Sequence, residues 1–149
     1  MALAALAGIG ADKPEELLVC SLVRGRCCES LAPKAGLPGQ STDLFLLGLL
    51  SMTDAILARP MVDILKDMPV PQSIKTALLG GNSEISEVYQ LVLVYERGEW
   101  ERIPEICKKL HLTEEDMPDV YIKAAEFARE LFQVRQPATP LRRSASIIP

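Results

Sequence analysis

A single histidine, His111, limits the chemistry open to this chain. Nucleophilic triads and most hydrolytic metal sites hold an imidazole beside a nucleophile or a metal ion. His111 stands in Lys108-Lys-Leu-His-Leu112, at the end of a helix. An imidazole there suits the negative end of a helix, which favours a capping role over catalysis. The carboxylates Glu114, Glu115 and Asp116 follow Thr113 directly. Consecutive residues in one helical turn diverge, so they read as the acidic start of a helix and not as a cation site. Three of the four cysteines, Cys20, Cys27 and Cys28, fall in one helical stretch, with Cys107 far along the chain. That spacing fits neither a disulfide framework nor a CxxC knuckle, and buried free thiols are the reading. A thiol switch at Cys27 and Cys28 is the less favoured alternative. Neither GxGxxG nor GxxxxGK[ST] occurs, so both glycine-rich phosphate cradles are missing.

The bulk composition agrees with this poverty of catalytic groups. With 149 residues, 48% apolar and 24% charged, the chain is an ordinary globular domain with a real core. A net charge of −4 argues against a general nucleic-acid surface, which needs many phosphate-neutralising cations. Aromatic residues, at 5%, are too few for a base-stacking platform. The N-terminal Met-Ala-Leu-Ala-Ala-Leu-Ala lacks the positive region of a signal peptide, so a cytoplasmic protein is expected, with no membrane association.

The elements that would position any functional residue are helical throughout, and the fold class read from the pattern is all-α. Residues 2–7 read as a turn or two of apolar helix without a cap, stopping at Gly8-Ile-Gly10. Asp12-Lys-Pro-Glu15 is a helix start. The helix it opens runs to about Ala32 on a stripe of Leu17, Cys20, Cys27 and Leu31. Gly25 inside it costs about 1 kcal/mol relative to Ala, tolerable if another backbone packs against it. Arg24, Arg26 and Glu29 are expected on the opposite, solvated side. A loop over 33–40 leads to the stretch from Asp43 to Leu57, apolar on nearly every side and too short to span a membrane. It reads as one buried central helix, capped by Ser41 or Thr42 and ending near Arg59-Pro60.

Shorter helices are expected at 61–66 and from Pro71 to Gly80-Gly81. The next, capped by Asn82 or Ser83, turns Ile85, Val88, Leu91, Val92 and Tyr95 inward and ends at Gly98. Trp100, Ile103, Cys107 and Leu110 form a further stripe, with Pro104 delaying the regular helix by a turn. A last helix over about 118–132 packs through Tyr121, Ala124, Phe127, Ala128 and Leu131. The domain is drawn at 1–134, with a disordered tail at 135–149 rich in Pro, Ser and Ala. The tail's Arg142-Arg143-Ser-Ala-Ser146 is only a superficial match to a phosphorylation site.

At the central helix the wording becomes familiar. Phe45-Leu-Leu-Gly-Leu-Leu-Ser-Met52 resembles the core helix of the HD phosphohydrolase superfamily, whose pattern runs Leu-Leu-Gly-Leu-Leu-His-Asp. Ser51 and Met52 stand where that superfamily carries its metal-binding pair, and neither supplies an imidazole or an anionic oxygen. Asp54, two residues on and roughly 200° around the helix, cannot substitute. Further stretches are similar to the non-catalytic HDOD branch, the HD-related output domain, and most like the C-terminal part of bacterial EAL–HDOD signalling proteins. They are Leu6-Ala-Gly-Ile-Gly10, Asp12-Lys-Pro-Glu-Glu-Leu17, Arg24-Gly-Arg-Cys-Cys-Glu29, Pro60-Met-Val-Asp-Ile-Leu65, Ile74-Lys-Thr-Ala-Leu78 and Tyr95-Glu-Arg-Gly-Glu-Trp100.

The resemblance implies a compact multi-helix, HD-like bundle lacking the usual N-terminal helices, and therefore an N-terminally truncated one. It implies signal transduction by contact and not by turnover, linked to cyclic di-GMP, with no catalytic, metal or cofactor site. The implied partner is another signalling domain in cis or in trans, of EAL type. Arg24, Arg26, Tyr95, Arg97 and Trp100 are the candidate contact residues, although Tyr95 and Trp100 lie on apolar stripes that would equally bury them. The alternative is a degenerate metal-dependent phosphohydrolase with unusual ligands.

Overall fold

The computed structural model describes residues 14–135, with side chains over 15–132. Expectations for the N-terminal apolar turns, the Asp12 cap and the tail lie outside those residues. Among the described residues every regular element is helical: α1 (Pro14–Lys34), α2 (Ser41–Leu50), α3 (Thr53–Leu57), α4 (Met61–Lys66), α5 (Gln72–Leu78), α6 (Ser86–Arg97), α7 (Ile103–Leu110) and α8 (Asp116–Arg135). Short 3-10 turns at Pro38–Gln40 and Trp100–Arg102 lead into α2 and α7.

Packing centres on α1, which lies against α2 most extensively and also meets α8 and α6. Cys27, Cys28, Leu31 and Ala32 of α1 are wholly buried, as are Leu44 and Leu47 of α2 and Val88 and Leu91 of α6. The α1–α2 crossing is set by two glycines. A Cβ on Gly48 would lie 2.5 Å from the backbone nitrogen of Gly25, and one on Gly25 would lie 2.9 Å from the Phe45 carbonyl oxygen. Gly25 thus removes the side chain that would hold a second backbone away, as its place in the helix suggested.

The stretch expected as one helix is two. Ser51 Oγ donates to the Gly48 carbonyl at 2.6 Å and Thr53 Oγ1 to the Leu50 carbonyl at 2.7 Å. Such back-bonding from Ser and Thr competes with the helical ladder and bends or ends it. The chain therefore turns between Leu50 and Thr53. Burial is also less complete than the composition suggested, because Leu46 and Leu50 are only partly covered and Leu57 is 51% exposed.

Other local expectations divide along similar lines. Gly98 closes α6 at φ 71°. The Glu99 N–H then reaches the Val94 carbonyl, a Schellman ending. His111 closes α7 in the left-handed region at φ 60°, so its backbone makes the cap. Neither Ser41 nor Ser83 caps by side chain. Ser41 Oγ turns back to the Pro38 carbonyl and Ser83 Oγ bonds the Ser73 carbonyl, while Ser86 Oγ accepts from the Ser83 N–H. The regular α7 begins one 3-10 turn after Trp100, as expected, with Pro104 in its first turn, where a missing N–H costs nothing. At α8, the Asp116 carboxylate accepts from the Thr113 hydroxyl at 3.0 Å, so the acidic run serves the helix start.

Candidate functional site

The glycine crossing determines what happens one turn further along. Arg24 precedes Gly25, and Ser51 follows Gly48 by three residues, so close approach of the backbones brings the two side chains together. Arg24 Nη1 donates to Ser51 Oγ at 3.0 Å. Its Nε donates to the Glu96 carboxylate, at 3.0 Å to Oε2, and Nη2 pairs with Oε1 at 3.0 Å. This is a side-on fork between α1 and α6. Arg24 is 9% exposed, so the expectation of a solvated arginine is overturned.

The reason is visible in the spacing: Arg24 lies four residues after Cys20 and three and four before Cys27 and Cys28, on the buried stripe itself. Burial works against the Arg24 charge, but hydrogen bonding and attraction from Glu96 outweigh it and raise its pKa. Burial also raises the Tyr89 hydroxyl above its ordinary value, and that hydroxyl interacts with Ser51. The result is a hydrogen-bonded polar floor under an apolar surround.

Above this floor opens a cavity of about 270 Å³. Its polar wall is Arg24, Ser51 and Tyr89, with Asp54 and Arg97 towards solvent. Leu17, Met52, Met61, Leu78 and Leu93 supply the apolar wall. Ser51 and Met52 are both buried here. The donor set suits no divalent ion: a hydroxyl and a thioether beside a guanidinium cation, with the nearest carboxylate, Glu96, already engaged. Among the described residues no cluster of three His, Cys, Asp or Glu side chains has ligand geometry.

The remaining candidate contact residues are split over the surface. Arg26 pairs with Glu29 at 2.8 Å and lies 4.7 Å over the Phe127 ring. Tyr95 is the middle of an aromatic row, with ring centroids 5.5 Å from both Trp100 and Tyr121. Trp100 is 60% exposed, so the buried alternative fails for it, whereas Tyr95 is half-buried. Gly98 turns the chain so that the indole folds back over the end of α6. Arg97 is exposed, 3.9 Å from Glu99, and borders the cavity. Sequence reasoning missed Glu96 and Tyr121 as partners. Glu96 could have been found, since it lies four residues after the inward-facing Val92.

The cysteines are poorly suited to exchange chemistry. Burial, followed by the nearby Glu96 charge, pushes the Cys27 thiol up to about 12. Cys28 is pushed up by burial as well, and Cys20 and Cys107 shift in the same direction. A thiol is nucleophilic only as the thiolate, so these side chains behave as small apolar groups near neutral pH. No described helix is long and apolar enough to cross a membrane.

Comparison with known proteins gives two distant relatives. The chain is 28% identical over 126 residues to the uncharacterized protein YuxH of Bacillus subtilis (strain 168), covering 85% of this chain and 30% of that protein. It is 24% identical over 131 residues to the cyclic di-GMP phosphodiesterase CdgJ of Vibrio cholerae serotype O1, covering 88% of this chain and 30% of that protein. No family model matches, and no solved structure does. The chain is thus similar, over most of its length, to about 30% of each of two longer proteins, one of them a cyclic di-GMP phosphodiesterase.

Proposed function

We propose that this chain is a non-catalytic regulatory module of the HDOD type, acting by protein–protein contact within cyclic di-GMP signalling. One observation carries the reading. The corner where an HD hydrolase would hold its metal pair is filled by Ser51 and Met52 and closed by the Arg24–Glu96 fork. A guanidinium fixed in that position repels a divalent cation, and its own charge is paired with Glu96. The distant likeness to the Vibrio phosphodiesterase supports the signalling context.

The contact surface in this reading is the row Trp100–Tyr95–Tyr121 with Arg97 beside it. Tryptophan, tyrosine and arginine are the residues that dominate interface energetics, because they offer large rigid area with a polar tip. The partner is an EAL-type phosphodiesterase domain, in cis or in trans. The test is to add the purified chain to the EAL-type domain encoded in the same reading frame or genome and follow cyclic di-GMP hydrolysis. The chain alone is expected to be inactive with or without manganese, and to change the rate of the partner. Trp100→Ala should abolish that change. Metal-dependent hydrolysis of cyclic di-GMP or of a phosphodiester dye by the chain alone would establish the phosphohydrolase alternative instead.

A further inference from the structure

We infer that the cavity over Arg24 and Ser51 is a binding site for a small amphipathic monocarboxylate. The inference goes beyond the signalling role and stands on the cavity alone. At about 270 Å³ the space corresponds to roughly nine water volumes. That admits a short-chain or small-ring acid and is too little to enclose a cyclic dinucleotide. The lining has the usual division of small-ligand sites, mostly apolar with a few convergent polar groups.

The polar end is specific. Arg24 directs three of its five N–H groups at Glu96 and Ser51. Among the described residues its other two donors have no partner, and Arg24 is both buried and part of the cavity wall. Two N–H groups of one guanidinium match the two oxygens of a carboxylate. Tyr89 supplies a further hydroxyl on the same wall. Arg97, half-exposed on the wall, adds a second positive charge.

The acidic groups set the limit on the ligand's charge. Arg24 and Arg97 are offset by Glu96 and Asp54, so the surround is neutral before a ligand enters, and a dianionic phosphate would leave twice the excess negative charge that a monoanion does. The apolar body then lies along Met52, Met61, Leu78 and Leu93. These side chains come from the loop before α3 and from α4, α5 and α6, so occupancy would tie the short helices to the core.

The test is a titration of the full chain with hexanoate, followed by the methyl resonances of Met52 and Met61. Saturable shifts are expected, with uncharged hexanamide binding about tenfold more weakly or worse. Arg97→Gln, on an exposed side chain that the core does not need, should weaken hexanoate by several-fold. Ala55→Trp, at an exposed position on the wall, should block binding without lowering the melting temperature. The proposal fails if the methyl signals do not saturate, if hexanamide binds as well, or if both variants bind hexanoate unchanged. Tighter binding of hexyl phosphate than of hexanoate would overturn the monocarboxylate assignment.

Discussion

The last turn of α6 carries three successive residues with different fates. Glu96 turns inward and fixes Arg24, whereas Tyr95 and Arg97 belong to the surface that Trp100 completes. The inner side is over-determined: two glycines set the helix crossing, the crossing sets the Arg24–Ser51 distance, and the fork to Glu96 ties a third helix to both. The outer side is held by one turn at Gly98 and two ring contacts. Rigid polar structure thus lies on the inner side of α6, and aromatic area faces outward. In the proposed reading, that division suits recognition by contact.

The comparison can be broken most directly at the fork. Arg24→Ala leaves Glu96 largely buried without its cation and should lower unfolding free energy by about 3–5 kcal/mol in urea titrations. The double change Arg24→Met with Glu96→Leu removes both charges and should recover most of that loss. If Arg24→Ala costs no more than a surface ion pair, about 1 kcal/mol or less, the inner side is not the rigid one. Gly48→Ala comes next. Its methyl would overlap the backbone of α1, which cannot move aside as a side chain could, and about 3 kcal/mol of destabilisation is expected by the same measurement. Because the crossing places Arg24 against Ser51, Gly48→Ala should also weaken hexanoate binding, unlike surface changes away from the cavity wall.

How far the sequence foretold this arrangement depends on the kind of signal. Helices with a strong apolar stripe or a glycine stop, such as α6, were legible because periodicity and the left-handed C′ position are local physics. The short helix at Met61–Lys66 was also expected and is present. The break inside the central stretch was not, since it arises from two hydroxyls bonding backward, and their choice between solvent and carbonyl depends on burial. The fate of Arg24 was partly legible, as its spacing to Cys20, Cys27 and Cys28 puts it on the inner face. Assigning charged residues to solvent by default hid this. Its partner Glu96 lies seventy-two positions away. No local pattern pairs such residues, so the fork required the tertiary structure.

A smaller effect tests the interior through its thiols. Folding raises Cys27 from 9.0 to about 12, with Cys28 and Cys20 shifted the same way. Above the unfolded value the unfolded chain loses thiol protons that the folded chain keeps, so alkali favours unfolding. Stability from this source is complete below about pH 9 and falls steadily as pH approaches 12. Cys27→Ala should flatten the slope of melting temperature against pH over that window. In the folded protein near neutral pH, Cys27 and Cys28 should resist a disulfide reagent that labels them once urea is added. Fast labelling without urea would revive the thiol switch.

The smallest stability effect should accompany the largest functional one. Trp100 is 60% exposed and leans on Tyr95 edge-on, so Trp100→Ala should lower stability by only about 0.5 kcal/mol. In the proposed reading, a partner covers this large apolar side chain, whose loss should barely matter to the fold. Such residues cost 2 kcal/mol or more of binding on truncation, about a thirtyfold loss of affinity. Both quantities should be measured on one preparation: the urea midpoint, and the chain concentration that half-saturates its effect on an EAL-type domain. A nearly unchanged midpoint with a large shift in half-saturation places the contact on the outer side of α6. If the midpoint falls by as much as in Arg24→Ala, Trp100 belongs with the rigid interior, and the contact surface must be sought on another face, first at Arg26 and Phe127 between α1 and α8.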